Sequence, residues 1–315
     1  MSLKDIIKEL NISAQCRQYG LSLWQCPQFI FVVMGIIIIA FTLITYFVGA
    51  RYIEDPLQIA FLVTVLTLVL FILGSIITQS FENIAEASRM KSEFVSIVSH
   101  QLRSPLSNLK WAIELLMSGR IGKIEKKQLK YFVILKENNA RMQELIFDLL
   151  IVSRIEQGRF PLKKKPFSLE ELTKELISIF EPQVQATNIK IGFKDGKGLP
   201  HALADRHQIK LVVENLIDNA IRYTRNHSKI EIKIDEKNKS LYFEVKDKGV
   251  GIPKKDQKYI FQKFFRSENV LKYQTQGTGL GLYIAKSIVE GSGGKIGFIS
   301  EENKGSTFWF TLPIK

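Results

Sequence analysis

KSEFVSIVSHQLRSPLSNLKWAIELLM, Lys91 to Met117, decides how the chain is read. Val95, Val98, Leu102, Leu106, Leu109, Ile113 and Leu116 recur at spacings of three and four, which draws one apolar seam along a helix reaching back to Phe81. Gly119 and Gly122 mark a turn. A second helical pattern, from about Glu125 to Ile155, carries Leu129, Phe132, Met142, Ile146 and Leu149. A helical hairpin with a coiled-coil-like seam buries little surface alone, so the expected solution is a homodimer that closes a four-helix bundle of antiparallel hairpins.

Working outward toward the N-terminus, Phe29 to Ala50 and Leu57 to Thr78 are two uncharged runs, each long enough to cross a hydrocarbon core of roughly 30 Å as a helix. Core helices of that length normally keep a polar stripe, and these keep none. Only Arg51 to Pro56 separates them. Lys4, Lys8 and Arg17 precede the first run, and Arg89 and Lys91 follow the second, so the positive-inside bias puts both ends in the cytoplasm. A loop this short cannot fold into an external ligand-binding domain, so a stimulus is expected to act in the bilayer, through the N-terminal segment, or through a partner membrane protein. Leu3, Ile6, Ile7 and Leu10 have the spacing of a short interfacial helix. Cys16 and Cys26 fall on the cytoplasmic side, where disulfides rarely persist, and two cysteines without partnering ligands make a poor metal site. The net charge of +13 is scattered and no nucleic-acid-binding motif accompanies it, which favours anionic membrane lipid over nucleic acid as its counterpart.

Downstream, Gly158 to Pro166 is rich in Lys and bounded by prolines, as a linker is. Beyond it Ile230, Ile232 and Ile234 alternate with polar residues, as do Leu241, Phe243 and Val245, with a hairpin loop over Glu236 to Ser240. Asp205 to Thr224 has helical periodicity, and Ile296 to Ser300 and Thr307 to Leu312 read as closing strands around Gly305. The expectation is an α+β sandwich, a mixed sheet with helices on one face. The chain therefore divides into a membrane-anchored series: an N-terminal segment (1–28), a two-helix transmembrane hairpin (29–78), an all-α hairpin (79–158), a linker (159–166) and the α+β domain (167–315).

His100 lies about 160° around the helix from the centre of the seam, so it points to solvent. A lone exposed histidine is usually inert. Here Pro105 follows inside the same helix, and its missing N–H leaves the Gln101 carbonyl without a partner and bends the axis. A neutral imidazole on a loosened helix can accept a phosphoryl group if a hydrogen bond to its other nitrogen fixes the tautomer. In this stretch, HQLRSPL, the chain resembles the sensor histidine kinases of two-component systems, whose phosphoacceptor box reads HELRTPL, and the resemblance runs from about Ser88 to Lys315. It implies a dimerisation and phosphoacceptor hairpin with His100 as the phosphorylated residue. The family's acidic residue after the histidine is Gln101 here, which can select a tautomer but cannot neutralise a developing imidazolium. The family's Thr or Asn associated with dephosphorylating the partner is Ser104, on the same face as His100.

The α+β domain carries four further matches in the family's order. ENLIDNAIRYT, Glu214 to Thr224, sets Asn215 and Asn219 four residues apart on one helix face, so that their amide oxygens converge. The resemblance makes that point a Mg²⁺ bound to ATP, with Asn219 as ligand, Asn215 as a second candidate, and Arg222 and Tyr223 near the nucleotide. DKGVGIP, Asp247 to Pro253, resembles the turn whose Asp accepts a hydrogen bond from the adenine amino group; Gly249 and Gly251 would allow positive φ and close approach to the base. FQKFFR, Phe261 to Arg266, resembles the family's phenylalanine box, with Arg266 facing phosphate. GTGLGL, Gly277 to Leu282, opens a helix, so the N–H groups of Gly277, Thr278, Gly279, Leu280 and Gly281 are candidates to cradle phosphates under a lid formed by Ser267 to Gln276. Thr307, in GSTFWF, resembles the Thr that supports the adenine-binding Asp. Singly these motifs are weak to moderate, but five in order are not a chance assembly.

The resemblance implies a membrane-bound histidine kinase that uses ATP and Mg²⁺ to phosphorylate His100 and passes the phosphoryl group to an Asp of a response regulator receiver domain. Two other classes are an ATPase or chaperone of the same nucleotide-binding superfamily, and an ATP-binding scaffold or response-regulator phosphatase with weak kinase activity. Those ATPases place a water-activating Glu one turn before the Mg-binding Asn, where this chain has Asn215.

Overall fold

The computed structural model describes residues 27–158, 160–196, 198–224, 228–267 and 277–315. The expected interfacial helix at Leu3 to Leu10, Cys16 and Cys26 lie outside them. The chain divides into two compact units, one formed by residues up to Pro105 with Ser153–Phe160, the other by Leu106–Val152 with Pro161–Lys315.

In the first unit, α1 (Pro27–Tyr52) and α2 (Pro56–Met117) flank a break of three residues, where the Asp55 carboxylate accepts from the N–H of Leu57 and caps α2. Phe29–Tyr52 and Pro56–Ile84 have mean hydropathies of 2.7 and 2.8 and almost no buried residues, so both are long and apolar enough to cross a membrane. Small residues set their approach. Gly49 faces Ile59, Gly74 faces Met34, and the hydroxyls of Thr42 and Thr67 meet at 3.2 Å while each also binds its own helix carbonyl. α2 runs unbroken for 62 residues through Pro105, so the helix expected from Phe81 is the continuation of the second apolar run.

In the second unit, the last turns of α2 pack beside α3 (Lys126–Glu156), with Ile113, Ile146 and Leu150 buried and the Asn139 amide donating to the Leu106 carbonyl at 3.1 Å. The α+β domain then follows as β1 (Lys165–Phe167), α4 (Leu169–Ala186), β2 (Lys190–Asp195), β3 (Ala202–Ala204), α5 (Arg206–Tyr223), β4 (Lys229–Lys237), β5 (Ser240–Lys246), α6 (Gly281–Ser292), β6 (Ile296–Glu301) and β7 (Gly305–Pro313).

Five strands form one mixed sheet in the order β2-β4-β5-β7-β6, with β2 and β4 parallel and the other pairs antiparallel. Period-two alternation sorts the faces. Ile230, Ile232, Ile234, Leu241, Phe243, Val245, Phe310 and Leu312 are buried, and Phe243 stacks on its cross-strand neighbour Phe310 with ring centroids 4.8 Å apart. On the other face Tyr242 and Trp309 stack beside charged neighbours. Leu172, Leu176, Val213, Leu216, Ile217 and Ile288 bring α4, α5 and α6 onto the buried face as one layer. The tight turn from β4 to β5 puts Asn238 and Lys239 at φ 51° and 57°, the geometry that matches strand twist in a two-residue hairpin.

One expected boundary moves. Lys165 and Pro166, read from the sequence as the end of the linker, pair with Ala204 and Leu203 in the β1–β3 ladder. Pro166 is tolerated because an edge strand leaves its missing N–H facing outward. Lys163 is tied in as well, its N–H donating to Asp205 at 2.9 Å.

Candidate active site

His100 stands exposed on α2 beside exposed Gln101, with Ser104 exposed one turn on, as the helical spacing requires. These three residues fall in the first unit, and the cleft falls in the second.

The cleft of the second unit has a volume of about 470 Å³. Its floor is α5. Asp205 caps that helix, accepting from the N–H groups of His207 and Gln208, and Ile209, Val212, Leu216, Ile217 and Ala220 bury the opposite face, which turns Asn215, Asp218, Asn219 and Arg222 to the cleft. The two asparagines do not present a matched pair of oxygens, as their spacing suggested. Asn219 donates its amide N–H to Oδ1 of Asn215 at 3.3 Å, and a Cβ added at Gly281 would sit 2.2 Å from that oxygen. Asn215 is thus enclosed by the start of α6, and Asn219 keeps a carbonyl oxygen with no hydrogen bond among the described residues. Arg222 is held by Asp218, whose carboxylate accepts from Nε one turn away.

Asp247 closes one end. It is 6% exposed, and its Oδ1 accepts from the N–H groups of Gly249 at 2.7 Å and Ser306 at 3.2 Å. Oδ2 has no partner among the described residues. Burial pushes this carboxyl up to about 6, the two backbone donors opposing the shift only in part. Tyr223 lines the same end, its phenol also pushed up by burial.

Three expectations at this end are corrected. Ser306, not Thr307, supports Asp247, through its backbone N–H; alternation along β7 also turns the side chains of 306 and 308, not 307, to the cleft. Gly249 does not line the cleft, since an added Cβ would lie 2.1 Å from the Tyr223 carbonyl oxygen, so its missing side chain serves the junction of α5 with this turn. Gly251 does line it, at φ +64°, but the close approach it permits is to the Glu301 carbonyl.

At the opposite end, Gly277, Thr278, Gly279 and Gly281 line the cleft ahead of α6. The N–H groups of Gly279, Gly281 and Leu282 have no partner among the described residues, as the first turn of a helix dictates. Leu280 departs from the expectation: it is completely buried and its N–H is taken by the Thr278 hydroxyl at 3.1 Å, so it anchors the loop and does not offer a donor to the cleft. Arg266 reaches the Gly277 carbonyl at 3.3 Å, the Phe264 N–H donates to the Gly279 carbonyl, and Phe265 lines the wall. Of the expected lid, 268–276 lies outside the described residues; Ser267 is buried and donates to Asp256.

A fourth wall was not legible in the sequence. Glu144, Phe147, Asp148 and Ile151 of α3 line the cleft, and Asp148 accepts a hydrogen bond from the Thr278 hydroxyl at 2.9 Å. Burial raises the Asp148 carboxyl to about 6. In a helix sequence Asp148 is one polar residue among many, and nothing local distinguishes it.

A buried carboxylate oxygen at one end and unpaired backbone donors with a positive helix end at the other fit a nucleotide: base on Asp247, phosphates on the glycine loop. Among the described residues no group of three or more His, Cys, Asp or Glu could hold a metal. The fold and cleft define an ATP-binding domain of the kind that residues 204–315 match, the histidine kinase-, DNA gyrase B- and HSP90-like ATPase family. Residues 90–158 match the His Kinase A (phospho-acceptor) domain, and with both in this order the chain belongs to the sensor histidine kinases.

Among its relatives is the sensor protein GacS of Pseudomonas syringae pv. syringae, 32% identical over 234 residues, which are 73% of this chain and 26% of GacS. The chain thus spans about a quarter of that relative's length. The crystal structure of full-length ShkA in complex with AMPPNP has 26% identity and a TM-score of 0.60, covering 70% of this chain and 46% of that one. The histidine kinase ThkA in complex with the response regulator protein TrrA has 25% identity and a TM-score of 0.51, over 72% and 64% of the two chains.

Proposed function

We propose that this chain is a membrane-anchored kinase that transfers the γ-phosphoryl group of ATP to His100 and then to an Asp of a response regulator. The observation that carries the reading is the buried Asp247 with its unpartnered Oδ2, opposite a glycine loop with free N–H groups, in the same chain as an exposed histidine on a phospho-acceptor helix. In the transfer the imidazole attacks the γ-phosphorus and the bond to the β-phosphate oxygen breaks, releasing ADP. Such transfer depends on positioning and charge stabilisation more than on covalent help from the protein.

Asp247 orients the base, the Gly277–Gly281 loop and the start of α6 hold the phosphates, and Arg266 supplies positive charge, with Arg222 near the nucleotide but paired to Asp218. Asn219 is the residue to hold Mg²⁺ with the phosphates, and that ion would neutralise charge on them; the pairing of Asn215 with Asn219 supports one protein oxygen rather than two. Gln101 holds the imidazole tautomer, and Ser104 is placed for a role in dephosphorylation. A receiver domain as partner is supported by the ThkA–TrrA complex.

The apolar helices form a transmembrane hairpin with both ends cytoplasmic, and the stimulus enters through the bilayer or a membrane partner. The phosphoacceptor domain covers 79–158, and the catalytic domain begins at Lys165. The test is transfer of label from γ-labelled ATP to the chain: acid-labile label is expected on the wild type and absent from His100→Gln, while both bind nucleotide. Label that persists in His100→Gln would overturn the assignment.

A further inference from the structure

Thr278 has one hydroxyl proton, and it is committed. The oxygen accepts from the Leu280 N–H, and the proton goes to Oδ2 of Asp148 on α3. This hydroxyl belongs to the loop whose remaining N–H groups at Gly279, Gly281 and Leu282 are free for phosphate. A carboxylate oxygen therefore holds a donor of the loop that lines the phosphate end of the cleft. Two anions cannot share that position in a half-buried cleft without strong repulsion.

Resting on the reading of the cleft as an ATP site, we propose that Asp148 is a built-in competitor for the phosphate end of that site. Its carboxylate occupies the glycine loop when α3 lies against the cleft, and a nucleotide triphosphate displaces it. Nucleotide binding and the Asp148–Thr278 contact then exclude each other, so ATP loading frees the catalytic domain from α3. The charge balance around Asp148 favours this antagonism. Glu144 on α3 adds negative charge to the same cleft, Glu214 on α5 is offset by Lys210 at 4.0 Å, and Asp218 is neutralised by Arg222; Arg266 lines the loop side and Asp247 the far end. Asp148 itself, raised to about 6, is mostly ionised at neutral pH.

The test uses the full chain in detergent micelles, wild type and Asp148→Asn, with calorimetric affinities for ATP with Mg²⁺ and for adenosine. Asn keeps an acceptor for Thr278 and removes only the charge. Asp148→Asn is expected to bind ATP roughly tenfold more tightly than wild type at pH 7.5. Adenosine, which has no phosphate, should bind both equally. Lowering the pH to 5.5 protonates Asp148 in the wild type, so the ratio of the two ATP affinities should fall toward one. Equal ATP affinities at pH 7.5, or an equal gain for adenosine, would overturn the competition; failure of wild type to bind either ligand would instead overturn the nucleotide reading of the cleft and the proposal with it. Asp148→Ala, which also removes the hydrogen bond, should show the same selectivity for ATP over adenosine.

Discussion

Asp247 concentrates the chemistry of the base end in one carboxyl group, with one oxygen pinned by two backbone donors and the other turned to the cleft. Because burial raises its pKa to about 6, its charge is lost within an accessible pH range. A ligand that donates to Oδ2 selects the ionised form, so affinity is full well above pH 6, is halved near that value and declines further as the pH falls. With a pKa near 6 the ionised fraction at pH 5.5 is about a quarter, so adenosine should bind about fourfold more weakly at pH 5.5 than at pH 7.5. Asp247→Asn should bind adenosine at least tenfold more weakly at pH 7.5 and lose the pH dependence, as titration calorimetry would show. The sequence pointed to Asp247 because DKGVGIP is a dense local pattern. It misassigned the supporting residue, since the support comes from the backbone N–H of Ser306, which no side-chain pattern marks, and the neighbouring Thr307 hydroxyl looks equally suited in sequence.

At the scale of elements, Asp205 joins the linker to the helix that forms the cleft floor. One carboxylate oxygen caps α5 and the other accepts from the Lys163 N–H. Asp205→Ala should destabilise the catalytic domain by about 1–2 kcal/mol, the usual loss of a good cap, read as a lower thermal midpoint. Asp205→Ser should recover most of it by restoring the α5 cap. In this domain α5, β4, β5 and β7 were legible because their apolar periods are unambiguous, 3.6 along the helix and 2 along the strands, whereas α4 and β2 were not singled out. The β1–β3 ladder was not, because three-residue strands carry no period, and a Lys–Pro pair reads locally as linker. For α2, charge composition changes after Thr78 while the apolar period carries on, so the helix from Phe81 reads as a continuation of the second apolar run, and the structure has it as one 62-residue element.

At the scale of the whole molecule, the hairpin leaves part of its seam uncovered in a single chain: Ile113 is buried, but Leu102, Leu109 and Leu116 are 45%, 42% and 39% exposed. Exposed leucines at seam spacing are what a second copy would bury. Leu109→Glu should shift the chain in detergent from dimer toward monomer, measured by light scattering, and a dimer mass unchanged by the substitution would exclude this seam as the interface. The order of parts, apolar hairpin, phosphoacceptor helix, nucleotide domain, was determined by sequence alone. Each part depends on local periodicity or on motifs whose residues lie within a dozen positions of one another. Tertiary structure alone decided which residues meet across large separations. Asp148 reaches Thr278 across 130 residues, Ser306 reaches Asp247 across 59, and Gly281 closes on Asn215. Such contacts are set by how α3, α5, α6 and β7 pack, and packing depends on the shapes of many side chains at once, which no short stretch of sequence encodes.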